Sequence, residues 1–164
     1  VNTVTPPKCP TCKRDAVFYA SSERIYGRDY GPVWACPSRI CDTYVGVHED
    51  TRIPKGTLAT KPMREARKAA HYRFDPLWQD LRLAYPDIPV PGAHLRSIAR
   101  KRAYAWLAAQ LGIAFDDCHI AMFDVAQCAR VVQAIEANKP TSASVRAWFK
   151  SQQGQAAESG STQQ

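Results

Sequence analysis

An α+β fold is predicted, in which a small N-terminal hairpin or three-stranded β unit is followed by a helical bundle of four to five helices. Two cysteine pairs, Cys9-Pro-Thr-Cys12 and Cys36-Pro-Ser-Arg-Ile-Cys41, bracket a stretch of strand composition. Beyond residue 56, apolar residues recur at helical spacing, and proline- and glycine-rich segments divide the runs. The expected organisation is 1–56 for the β unit, 57–150 for the helical domain and 151–164 for a disordered polar tail.

The first element to justify is the cysteine cluster. Six cysteines could form a disulfide framework, but the spacing favours metal. Cys9 and Cys12 sit on one tight turn, where both sulfurs can face a tetrahedral ion. The intervening AVFYASSERIYGRDYGPVWA reads as strand, Gly/Asp-rich turn and strand, and TYVGVH as a third strand. With Cys36 and Cys41 at the far end, this is a zinc ribbon holding one structural Zn2+ through Cys9, Cys12, Cys36 and Cys41. Four thiolates close the coordination sphere and leave no position to activate water. The second knuckle is wide, so His48 is the substitute ligand should Cys41 fall short; its place after the Tyr44, Val45, Val47 alternation argues for a strand end instead. A redox reading of CxxC lacks the usual βαβ context. Cys118, His119 and Cys128 suggest a second metal site, but Cys128, Val131, Val132 and Ile135 lie on one helical stripe, which makes Cys128 a core residue.

The connector GVHEDTRIPKGTLATKP leads to a helix with Thr60 as N-cap and Pro62 in the first turn. Met63, Ala66, Ala70, Phe74, Leu77 and Leu81 form its apolar stripe, beside Arg64, Arg67, Lys68 and His71. Pro76 should divide this helix, with Asp75 capping the second piece. After YPDIPVPG, AHLRSIARKRAYAWLAAQLGI reads as a helix ending at Gly112. Its core face is Leu95, Ile98, Ala99 and Trp106, and Arg102 in that face must snorkel, pair or meet a ligand. Further helices are expected over Asp124 to Ala137, with Asp124 and Gln127 as a capping box, and over Thr141 to Lys150.

Charge supplies the first functional indication. The net +7 divides as +2 over residues 1–56, +6 over 57–114 and −1 over 115–164. A positive field concentrated in the middle third suits a phosphate backbone, and equally an acidic protein surface. The candidate contact residues are Arg28, Arg64, Arg67, Lys68, Arg96, Arg100 and Lys101, with Tyr26, Tyr30 and Trp34 as stacking surfaces. No apolar stretch reaches the roughly 20 residues of a membrane span, and the start of the chain has no signal-like apolar core, so a cytoplasmic location is expected.

The words CPTC, SSERIYGRDYGPVWAC, YVGVH, GTLA, RKAAHYRFDPLW, AYAWLAAQLGI and CHIAMFD resemble the zinc-finger-containing family of unknown function found in bacteriophages and prophages. The resemblance covers roughly residues 8 to 136. It implies a phage protein of the host cytoplasm, with a zinc ribbon fused to helices, and no established activity. It also implies a CxxC second knuckle, from which CPSRIC departs.

Two functional expectations follow. One is a DNA- or RNA-binding protein; the other is a docking factor that modulates a host complex, such as RNA polymerase or a defence complex, through its acidic surface. An enzyme is not expected, since HExxH, P-loop and GxSxG patterns are missing, and the best acid/base pair, His71 and Asp75, reads as a helix-face hydrogen bond.

Overall fold

The computed structural model describes residues 4–38, 40–87 and 92–159. The chain forms two compact units. One comprises the chain up to Arg67 together with Ala121–Val125, and the other Lys68–Ile120 and the chain from Ala126 onward.

In the first unit, β1 (Val17–Tyr19), β2 (Val33–Ala35) and β3 (Tyr44–Gly46) form an antiparallel sheet in the order β1-β2-β3. Phe18 pairs with Trp34, and Trp34 with Val45. Alternation along each strand sends these three residues to one face, where they pack with Cys9, Ala16, Cys36, Val47 and Leu58. Burying a side chain the size of Leu58 contributes roughly 1.5–3 kcal/mol. Leu58 thus belongs to the cysteine unit, and this unit extends beyond residue 56 because Ala59 also bridges Tyr44.

The predicted β1–β2 turn contains a single helical turn, α1 (Glu23–Tyr26), ended by Gly27 at φ 72°. Segment 121–125 joins the unit by close backbone approach at Gly56. A Cβ there would lie 2.4 Å from the Ala121 carbonyl oxygen, so only glycine fits.

Helix α2 (Lys61–Phe74) begins as expected. The Met63 amide donates to Thr60 Oγ1 at 3.5 Å and the Arg64 amide to the Thr60 carbonyl at 2.9 Å. Pro76 ends it and opens α3 (Pro76–Gln79). Asp75 makes no side-chain cap; its Oδ1 instead accepts from Trp78 Nε1 at 3.1 Å and faces His71 Nδ1 at 3.2 Å. The expected cap gives way because Asp75 keeps helical backbone angles, its amide bonding the His71 carbonyl and its carbonyl accepting the Trp78 and Gln79 amides.

The second unit also contains α4 (Ala93–Leu111), all but the first residue of α5 (Val125–Asn138), and α6 (Ser142–Ser159). Gly112 ends α4 in the left-handed conformation, its amide bonding back to the last turn. Helix α4 packs on α3 and α6; Leu81, Ala84, Tyr85 and Ala99 are buried there, with Trp78 and Leu95 against them. Phe74 meets Tyr104 at 4.6 Å between ring centres. Arg102 is satisfied without a carboxylate. It donates to Tyr85 Oη at 2.5 Å and lies 5.3 Å from the Phe149 ring centre.

Helix α6 starts on a reciprocal pair, with the Ser144 amide donating to Thr141 Oγ1 and the Thr141 amide to Ser144 Oγ. It then runs to Ser159, past Lys150, where the sequence reading ended it. Gln, Ala and Glu in this stretch are good helix formers, and the helix propagates through them from an established cap. Residues 160–164 of the expected tail lie outside the described residues, as does Arg39. No helix among the described residues is long and apolar enough to cross a membrane.

Candidate metal centre

The first knuckle is a tight loop closed by backbone bonds. The Lys13 amide donates to the Cys9 carbonyl at 3.0 Å and the Cys9 amide to the Arg14 carbonyl at 2.9 Å. Closing it requires a left-handed residue, and Lys13 takes that position at φ 63°.

The second knuckle absorbs its two extra residues in a turn. The Cys41 amide donates to the Ser38 carbonyl at 3.3 Å, leaving Ile40 95% exposed. Cys41 therefore returns to the cluster despite the wide spacing. The Cys36 amide bonds the Thr43 carbonyl at 2.9 Å, which anchors the other end of the loop.

The sulfurs of Cys9, Cys12, Cys36 and Cys41 all lie within 4.8 Å of one another. Cys12 and Cys36 are 3.4 Å apart, far beyond the roughly 2.05 Å of a disulfide. Zn–S bonds of about 2.3 Å in a tetrahedron place sulfurs about 3.8 Å apart, so this donor set fits one ion.

The electrostatics suit a cation. Burial pushes the Cys9 thiol up, but the Cys12 amide, the Thr43 hydroxyl and the Thr11 amide more than offset this and hold it at about 6. Burial, reinforced by the neighbouring Cys12 thiol, drives Cys41 up to about 12, and burial likewise raises Cys36. Negative charge thus collects at Cys9 while Cys36 and Cys41 retain protons that a metal would displace. The ion would supply a crosslink between the two knuckles; with four sulfur ligands its role is structural.

His48 is exposed and outside this group. It occupies the strand-end position expected for it, and its amide bonds the Ile53 carbonyl at 2.9 Å. Cys118 and Cys128 are buried, and no second metal-competent group occurs among the described residues. Burial raises the Cys118 thiol to about 11, which keeps it neutral.

The predicted contact residues divide into two sets. Arg28, Lys68, Arg96, Arg100 and Lys101 are exposed. Arg67 is only 9% exposed and is committed inside the first unit, where it donates to the Phe123 carbonyl at 2.8 Å, the Thr57 carbonyl at 3.0 Å and Thr57 Oγ1 at 2.7 Å. Arg64 donates to the Asp42 and Ala59 carbonyls at 2.8 and 2.5 Å and pairs with the Asp42 carboxylate at 3.1 Å. These two arginines hold the fold instead of forming an open cationic surface. Trp34 is also removed from the stacking set: it is buried, and its Nε1 donates to the Arg52 carbonyl at 2.7 Å.

Sequence reasoning missed that the loop of residues 46–55 lines a groove with Tyr26 and Tyr30. Its charged residues were visible in HEDTRIPK, but nothing local indicated which part of the chain they would face.

A family model described as a zinc-finger-containing domain matches the chain over residues 5–90 and 91–138. Comparison with curated proteins and with solved structures returns no match. A match over most of the chain, including all four clustered cysteines, makes this protein a member of the zinc-finger-containing domain family.

Proposed function

We propose that the protein binds nucleic acid through the outer face of α4, with zinc holding the N-terminal unit in shape, and that it is a binding protein without catalytic activity. The observation that carries this reading is the arrangement of Arg96, Arg100 and Lys101. All three are exposed, α4 contains no acidic residue, and among the described residues none of them forms an ion pair.

Arg96, about one turn into α4, opposes the helix dipole and does not serve helix stability, while Arg100 and Lys101 lie near the middle of the helix. The summed field of the three cations favours phosphate. Lys68 on α2 is likewise exposed and unpaired among the described residues. Against catalysis stand the four-thiolate metal site and the engagement of Asp75 by both His71 and Trp78. The resemblance to phage and prophage sequences supports a phage-encoded protein acting in the host cytoplasm.

The test is fluorescence anisotropy with labelled DNA and RNA at several salt concentrations. Arg96→Gln and Lys101→Gln should each reduce the salt slope by about one. Absence of binding at low salt, or variants with the wild-type slope, would overturn the proposal. One host protein retained after nuclease treatment in place of nucleic acid would assign these cations to docking on an acidic surface instead.

A further inference from the structure

A groove of about 730 Å3 opens on the first unit, between the segment around residues 22–31 and the loop of residues 46–55. This is within the roughly 300–1,000 Å3 range of small-ligand clefts. We infer that it seats one unpaired nucleobase of a single-stranded nucleic acid, stacked against Tyr30 and Tyr26, with the adjoining phosphate on Arg52 and Lys55. The inference rests on the nucleic-acid-binding reading and extends it to a second site with its own chemistry.

The stacking wall is exposed yet fixed. Tyr30 is 63% and Tyr26 48% exposed, their rings meet edge to face at 5.3 Å, Tyr26 meets Tyr44 in the same way at 5.5 Å, and the Arg28 guanidinium lies over one side of the Tyr30 ring at 4.7 Å. Exposed aromatic rings beside cations are the usual seat for unpaired bases, because every base offers a π face. Fully buried Ser22 accepts the Tyr30 amide at 2.8 Å through Oγ. Asp29 Oδ1 accepts the Gly31 and Ser22 amides at 2.8 and 3.1 Å. Gly31, at φ 100°, makes the bend possible.

The opposite wall is equally braced. The Arg52 carbonyl receives the indole N–H of buried Trp34, and the Lys55 amide bonds the Gly46 carbonyl at 2.9 Å. The Arg52 guanidinium lies 4.6 Å from the Phe18 ring centre, at the groove's edge. The floor owes its depth to Gly46, which pairs with Val33 and has only open space where a side chain would project.

Charge selects the occupant. Arg52 and Lys55 are balanced by Glu49 and Asp50 on the same wall. A continuous phosphate track would be repelled by those carboxylates. A single nucleotide satisfies both signs, since base-edge N–H groups donate to carboxylate while the phosphate meets the cations.

The experiment is anisotropy titration of labelled 12-nucleotide single strands and the matching duplex with the zinc-loaded full chain. Tyr30→Ala should weaken single-strand binding at least fivefold and Tyr30→Phe should restore it. Gly46→Leu, which fills the floor, should weaken it similarly. Duplex binding should remain unchanged in all three, with circular dichroism and zinc content matching wild type.

Tyr30→Ala and Gly46→Leu binding single strands as wild type does, while Arg96→Gln and Lys101→Gln still lower the salt slope, would overturn the groove assignment and leave the α4 reading standing. No nucleic-acid binding by wild type would overturn both. Loss of a bound host protein in the groove variants, with single-strand binding intact, would make the groove a peptide site and end this assignment.

Discussion

The guanidinium of Arg64 lies 3.1 Å from the carboxylate of Asp42, the residue immediately after Cys41, and 4.0 Å from the Tyr44 ring centre. The same carboxylate accepts the Lys61 amide at 3.0 Å, at the start of α2. One acid thus accepts the first amide of α2 and pairs with an arginine in its first turn, which ties the wide metal knuckle to the helix.

Arg64→Ala should therefore destabilise the first unit by about 1–2 kcal/mol, since it removes three hydrogen bonds, to the Asp42 and Ala59 carbonyls and to the Asp42 carboxylate. Chelator-driven zinc release should quicken in parallel, because Cys41 loses its brace. Thermal unfolding and a colorimetric zinc assay would show both. Arg67→Ala, which strands three buried or half-buried acceptors, should cost more, about 2–4 kcal/mol. A variant at Arg67 with wild-type stability would contradict its structural role.

Lys13 holds a positive φ of 63° on an exposed turn of the first knuckle. Lys13→Gly should relieve the left-handed strain and raise stability by roughly 0.5–1 kcal/mol, after allowance for glycine's larger entropy loss on folding. Lys13 Nζ also donates to the Pro10 carbonyl at 2.9 Å; denaturant unfolding of the zinc-loaded protein measures the change, and a loss of stability would show that this bond matters more than the backbone.

Thiol reactivity should distinguish the cysteines by location. Six are free and four are clustered. With zinc bound, a disulfide-exchange reagent should find almost no fast thiol. Chelation should expose four, and Cys118 and Cys128 should react only on unfolding, since both are buried and Cys118 is held protonated. Cys9→Ser or Cys36→Ser should unfold the first unit. Six thiols released together by the chelator, with helix content retained by circular dichroism, would indicate a second metal site.

Zinc loading should also release protons. Cys36 and Cys41 are raised above the ordinary thiol value of 9.0 in the metal-free fold, so both carry protons at pH 7. The metal must displace them, so its stabilisation grows as pH rises and is lost as pH falls, when protons compete for sulfur. Calorimetry in buffers of different ionisation enthalpy should find at least two protons released per zinc at pH 7, and fewer would mean these thiols are already ionised.

Much of the metal site was legible in the amino-acid sequence because its information is local. Cys9-Pro-Thr-Cys12 closes on itself within one turn, Gly112 ends α4 by its own left-handed φ, and Pro76 breaks α2 by removing an amide. The four ligands, the sheet and the helical remainder follow from such short-range constraints. The fates of Arg64, Arg67 and Trp34 do not. A helical wheel places Arg67 beside an apolar stripe, but its acceptors come from Thr57 and from Phe123, which arrives from 56 residues away. Strand alternation cannot show that the loop of residues 46–55 receives the Trp34 indole and faces Tyr26 and Tyr30 across a groove. Periodicity specifies which way a side chain points from its own element; what it meets is decided only when distant segments pack together, and there the tertiary structure turned two expected phosphate contacts into framework and set a charged loop opposite two expected stacking residues.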